Sequence, residues 1–137
     1  MSTSFNLDRA NEFFSETPMA HWLQTSVREE NGPPVYRLTF HEKHIGNPVI
    51  RALHGGVIGA YLETIMQGHL IACAPEMSSI RTVSFSVDYL RSSKPQDMHA
   101  EVTIERQGRR LAFLSARGWQ NENSKPVALA HAALRTD

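Results

Sequence analysis

Apolar residues recur along the chain with two different periods, and the change between them divides it. Residues 7–15 place Leu7, Ala10, Phe13 and Phe14 on one side of a helix, with Pro18 beyond its end. Residues 20–29 and 35–40 read as two strands. Asn31-Gly32-Pro33-Pro34 between them is turn chemistry, so a hairpin is expected. A loop over residues 41–53 contains Gly46, Asn47 and Pro48. The spacing then predicts one long helix over residues 55–74, ended by Pro75. Its apolar residues, among them Val57, Ile58, Tyr61, Leu62, Ile65, Met66 and Leu70, wrap most of its circumference, which is the pattern of a buried helix.

After the helix the period changes to two. Val83, Phe85, Val87 and Tyr89 alternate with Ser84, Ser86 and Asp88, and three further runs follow near residues 100–105, 111–118 and 127–134. The breaks between them are residues 93–97, 107–109 and 121–124. Short breaks predict antiparallel neighbours, hence a four-stranded meander. The whole is an α+β architecture: one antiparallel sheet wrapped around one long central helix.

Composition narrows the function. The 137 residues fit one domain spanning the chain, and 41% hydrophobic with 20% charged residues is ordinary globular make-up. A formal net charge of zero argues against a nucleic-acid surface, which needs a basic excess. Cys73 alone forms no internal disulfide, residues 1–11 lack a basic-then-apolar leader, and no apolar run is long enough to span a bilayer. A cytoplasmic protein without a membrane partner is the expectation.

The candidate chemistry lies where loop becomes helix, at Leu53-His54-Gly55-Gly56. The first turn of a helix has N–H groups without intrahelical partners, and the helix dipole adds partial positive charge. Glycines there let a ligand approach, which suits a carbonyl oxygen becoming an oxyanion. A glycine-rich start required only for tight packing is the alternative. Glu63 is the one carboxylate inside the apolar helix. It either serves as an acid–base group or turns to solvent or an Arg partner. It lies nine residues after His54, roughly 12 Å from the first turn at the helical rise. A carboxylate that far away does not reach a carbonyl held by its own helix start. If the two act together they come from different subunits, with two antiparallel helices and twofold symmetry making two equal sites.

The stretch from Leu53 to Glu63 resembles the signature of the hotdog thioesterases, closest to the PaaI-type and 4-hydroxybenzoyl-CoA thioesterase branch. In that pattern an HGG turn opens the central helix and an acidic residue follows nine positions after the His. The resemblance covers nearly the whole chain, including the later strands and Gln107-Gly108-Arg109 as a hairpin. It implies hydrolysis of a small or medium acyl-CoA or an aryl-CoA. Glu63 would be nucleophile or general base, the Gly55 N–H the carbonyl donor beside Gly56, and His54 the group orienting thioester or water. It also implies a homodimer, often paired into a dimer of dimers, and coenzyme A only as part of the substrate. The sequence departs from the pattern twice. Pro48 stands where many relatives carry Asn or Gln, with Asn47 one residue earlier, so Asn47 is either a site residue or a turn residue. Gln67 replaces the Ser or Thr that several relatives carry four residues after the acid.

The same resemblance makes Arg91, Ser92, Lys94, Gly108, Arg109 and Arg110 candidates for meeting the CoA phosphates, a role that suits Arg. Solvated turn residues are the plainer reading of each. His41 and His44 lack the third ligand a catalytic zinc needs, so no metal is expected. There is no G-x-S-x-G elbow or phosphate-cradling loop. Two other functions remain: an acyl-CoA sensor that binds without hydrolysis, and an enoyl-CoA hydratase. The carboxylate at Glu63 speaks against the first, the absence of an Asp near His54 against the second.

Overall fold

The computed structural model describes residues 4–74, 76–77 and 79–136. Helix α1 (Leu7–Glu16) starts at Asn6, whose side-chain oxygen accepts the Arg9 N–H at 3.1 Å, and buries Ala10 and Phe14. It stops at Thr17, which is extended as residues before proline tend to be. Pro18 then opens a second helix, α2 (Pro18–Leu23), closed by Gln24 in the left-handed region at φ 58°. Residues 20–23 are therefore helical and not part of the strand expected over 20–29. Ala20 and Leu23, three apart, turn inward together, and the first strand is only β1 (Thr25–Arg28). It pairs antiparallel with β2 (Val35–Leu38), as the hairpin chemistry predicts.

The loop before the long helix contains a 3-10 turn (Glu42–His44) and a small ladder of β3 (Ile45–Asn47) with β4 (Ala52–Leu53). Helix α3 (Gly55–Cys73) follows, and Pro75, expected to end it, lies outside the described residues. Tyr61, Leu62, Ile65, Met66 and Leu70 are fully enclosed. Each such side chain contributes about 1.5–3 kcal/mol relative to exposure. Among the described residues no helix is long and apolar enough to cross a membrane.

Four longer strands complete the sheet: β5 (Arg81–Tyr89), β6 (Met98–Gln107), β7 (Leu111–Trp119) and β8 (Ala128–Arg135). Strand order is β1-β2-β6-β7-β8-β5. All pairings are antiparallel, and the sheet packs against α3 as expected. The meander is corrected in one respect. β5 pairs with β8 rather than β6, and β6 pairs with β2. Residues 90–97 are too long for a hairpin and carry the chain across the sheet, leaving β5 as an edge strand beside α3.

Candidate active site

His54 caps α3. Its backbone is extended, and its Nδ1 accepts the Gly56 N–H at 2.8 Å. A neutral ring in this tautomer carries its proton on Nε2. The His54 carbonyl accepts the Val57 and Ile58 N–H groups at 2.9 and 3.1 Å. Of the donors in the first turn, the Gly55 N–H is left without an acceptor among the described residues. An open donor at the positive end of a nineteen-residue helix is where an oxyanion is stabilised.

Neighbouring segments fix this start. The His54 N–H donates to the His44 carbonyl at 2.9 Å, and the Leu53 N–H to Ser93 Oγ at 2.9 Å. The Tyr89 hydroxyl, at the end of β5, donates to the Gly55 carbonyl at 2.6 Å. That carbonyl shares its peptide with the Gly56 N–H, so Tyr89, the 55–56 peptide and the His54 ring form one polarised chain. Gly46 on β3 runs against His54: a Cβ there would lie 2.7 Å from His54 Cα, so only glycine fits.

Glu63 is half-buried, and its carboxylate has no hydrogen-bond or ion-pair partner among the described residues. Gly55, Gly59, Glu63 and Gln67 are spaced by four and form one row along α3. That row follows the edge strand. Gly55 and Gly59 lie under Tyr89 and Phe85, and Gln67 Nε2 donates to Thr82 Oγ1 at 3.0 Å. Gln67 thus ties α3 to β5. Asn47 is exposed, and its side-chain oxygen accepts the Val49 and Ile50 N–H groups at 2.9 and 3.4 Å. It is the turn residue of its loop, with only its NH2 group uncommitted among the described residues.

The six cationic-patch candidates divide into two groups. Arg91, Ser92 and Lys94 line a polar cavity of about 300 Å³ with Gln120, Glu122 and Lys125, the last two an ion pair at 3.5 Å, at the end of the sheet that holds the helix start. Gln120 clamps the Lys94 backbone in both directions, and Arg91 Nη1 donates to the Pro126 carbonyl at 2.7 Å. Gly108, Arg109 and Arg110 form the β6–β7 turn, with the Arg109 and Arg110 carbonyls held by Thr136. The length of β7 separates the groups by about 26 Å. One chain does not make them a single patch.

His44 uses both ring nitrogens internally, with the His41 N–H at 3.1 Å and the Trp22 carbonyl at 3.3 Å, and burial pushes its pKa down. Neither nitrogen is left for a metal. The sequence reading missed Tyr89 and Ser93 as supports of the helix start, and missed Met19 and Trp22. These last two help line an apolar cavity of about 700 Å³ beside His54 and Gly56. Their spacing of three after Pro18 was the available signal, hidden by the strand expected over residues 20–29.

Comparison with known proteins agrees with this fold. No curated protein matches the chain significantly. A solved protein of the thioesterase superfamily is similar over 96% of this chain and 98% of its own, at 26% identity and a TM-score of 0.85. A protein from Chromobacterium violaceum shares 33% identity over 95% of this chain and 90% of its own, at a TM-score of 0.76. The E. coli PaaI protein of the phenylacetic acid degradation operon, at 17% identity over 95% and 91%, shares the fold with a TM-score of 0.78. Residues 45–135 match the family described as the acyl-CoA thioesterase N-terminal domain. The chain belongs to that family and is a hotdog-fold thioester hydrolase.

Proposed function

We propose that the protein is a homodimeric acyl-CoA thioesterase whose two sites each join the Gly55 N–H of one protomer to Glu63 of the other. The observation that carries this reading is the row Gly55, Gly59, Glu63, lying along the free edge of β5 with both the open N–H and the unpaired carboxylate on it. The midpoint between Gly55 and Glu63 is Gly59. The midpoint of β5 is Phe85. The two are in contact, a Cβ on Gly59 lying 3.7 Å from the Phe85 ring. A twofold axis through that point pairs the β5 edges antiparallel. It sets Glu63 of each helix opposite Gly55 of the other, and Gly59 lets each β5 pack closely on its own α3. The same rotation carries the partner subunit's Gly108, Arg109 and Arg110 toward the Arg91, Ser92 and Lys94 end, so the divided cations combine around the CoA phosphates.

Coenzyme A takes part only as the leaving group. The thioester carbonyl accepts from Gly55, with the His54 Nε2–H positioning thioester or water. In the general-base form, Glu63 takes a proton from water as its oxygen bonds to the carbonyl carbon. The oxyanion rests on the Gly55 N–H, then collapses and breaks the C–S bond, and the thiolate leaves to be protonated. In the nucleophilic form, the Glu63 oxygen bonds to the carbonyl carbon, the C–S bond breaks to release the thiolate, and water then cleaves the mixed anhydride to free acid and the Glu63 carboxylate. Removing one such donor costs about 10²–10³ in rate.

The test uses two disabled variants, Glu63→Gln and Gly55→Pro. Proline is tolerated at the first helical position while deleting the N–H. Each alone should release almost no thiol from acyl-CoAs. Co-expressed, they should recover activity, because one site of the mixed dimer is then intact in both parts. Absence of recovery in a verified mixed dimer refutes the shared site. Full activity of Glu63→Gln alone refutes its role. Tight acyl-CoA binding without release by wild type would indicate a binding protein instead.

A further inference from the structure

The apolar cavity beside the helix start has no part in the chemistry above. Its walls are Met19, Trp22 and Leu23 on α2, Ile45 on β3, and Val57 and Ala60 on α3. One end is formed by His54 and Gly56, on either side of the open Gly55 N–H. Met19 and Trp22 are 47% and 44% exposed, yet Trp22 is held in place. Its carbonyl bonds to His44, its ring meets the His44 ring edge-on at 5.4 Å, and the Lys43 ammonium rests over it at 5.1 Å. A fixed aromatic wall facing apolar space is how ligand pockets are built, and the volume is that of a small-molecule site.

We propose that this cavity is the acyl subsite, taking an uncharged aliphatic acyl group of medium length or a single-ring aryl group. The inference rests on the thioesterase reading. With the carbonyl on Gly55, the two halves of the substrate leave in different directions. The CoA half carries phosphates and suits the polar cavity at Arg91 and Lys94. The acyl half is left the apolar walls, against which a charged group would be desolvated without a partner. Lys43, the one charged wall residue, is engaged at the rim by Trp22. Ala60 is a small residue on the open face of α3 and sets the depth, while Trp22 and Met19 form the far wall.

The experiment measures thiol release from acetyl-, hexanoyl-, decanoyl-, palmitoyl-, benzoyl- and succinyl-CoA by wild type, Ala60→Phe and Trp22→Ala. Wild type should favour hexanoyl-, decanoyl- or benzoyl-CoA over succinyl-CoA. Ala60→Phe, which fills the cavity, should lower kcat/KM for decanoyl-CoA about ten-fold more than for acetyl-CoA, and Trp22→Ala should move the optimum to longer chains. An equal fall at every chain length in both variants overturns the proposal, as does succinyl-CoA matching hexanoyl-CoA. A changed molar mass by light scattering with an unchanged chain-length profile assigns the cavity to a second copy and also overturns it. If wild type hydrolyses none of the panel, the thioesterase reading fails by itself. The subsite is then judged by titrating decanoyl-CoA against tryptophan fluorescence. Saturable quenching that disappears in Ala60→Phe sustains it, and no quenching overturns it.

Discussion

Acid should loosen the helix that carries the site, and His69 gives the amount. It lies on α3 six residues past Glu63 and is 8% exposed. Its Nδ1 meets the Tyr36 hydroxyl at 2.6 Å, and its ring stacks on Phe5 at 5.4 Å. Burial pushes its pKa down to about 4 from the usual 6.5. The folded state therefore keeps the ring neutral where the unfolded chain protonates it. Above pH 6.5 both states are neutral and nothing is lost. As pH falls from 6.5 to 4, unfolding takes up a proton and stability drops. The full drop is about 3 kcal/mol, of which about 2 kcal/mol is expressed by pH 5. His69→Gln keeps an acceptor for the Tyr36 hydroxyl and does not titrate. Urea unfolding of both proteins at pH 7.5 and pH 5, at one protein concentration so that subunit association is held constant, isolates the contribution. Wild type should lose about 2 kcal/mol more than the variant between those conditions. Equal losses would refute the reasoning and place the acid sensitivity elsewhere, with His44 the next buried ring to test.

Two other substitutions probe the two ends of α3. The Arg9 guanidinium donates to the Ile71, Ala74 and Met77 carbonyls at 3.0, 3.3 and 3.0 Å, closing the helix C-terminus from α1. Arg9→Met keeps the apolar stem and should cost about 2 kcal/mol, seen as a fall of several degrees in Tm; an unchanged Tm would show those bonds contribute nothing net. Tyr89→Phe removes the hydroxyl from the Gly55 carbonyl and loosens the chain that orients His54. It should lower kcat about ten-fold with KM little changed, since ring orientation matters most in the transition state. A KM effect alone would make Tyr89 a binding residue.

What the sequence made legible follows the range of the physics. α3 was readable because its burial on nearly every side writes itself into a local run of apolar residues. β6, β7 and β8 were readable by alternation and short breaks. Strand order was not, because the β5–β8 pairing joins residues 39 to 54 positions apart and leaves no local mark. Residues 20–23 were misread because six residues hold too few apolar positions to separate the two periods, and the decisive feature is the restart at Thr17-Pro18. His54, Gly55 and Glu63 stood out because they lie on one helix at fixed spacing. Tyr89, Ser93 and Trp22 reach the start of that helix from 32 to 40 residues away. Asn47 shows the converse limit: an amide near a suspected site is chemically suggestive, yet its oxygen serves the turn at residues 47–51.

In the proposed shared site, the helix start is the reason for a second copy. Three of its first four N–H groups are satisfied by His54, through its carbonyl and its ring, and the Gly55 donor alone stays open. A donor without a base binds a carbonyl but does not deliver water to it. On its own chain, the nearest carboxylate on α3 is Glu63, roughly 12 Å along the axis. The helix does not bend to close that gap, because Tyr61, Leu62, Ile65 and Met66 pin the span between Gly55 and Gln67 against the sheet. Rigidity that keeps donor and base apart within one chain also keeps them at a fixed separation, and a twofold axis turns a fixed separation into a fixed meeting. Gly59 at the midpoint and a bare β5 edge beside it are what that arrangement requires of the monomer, and both are present.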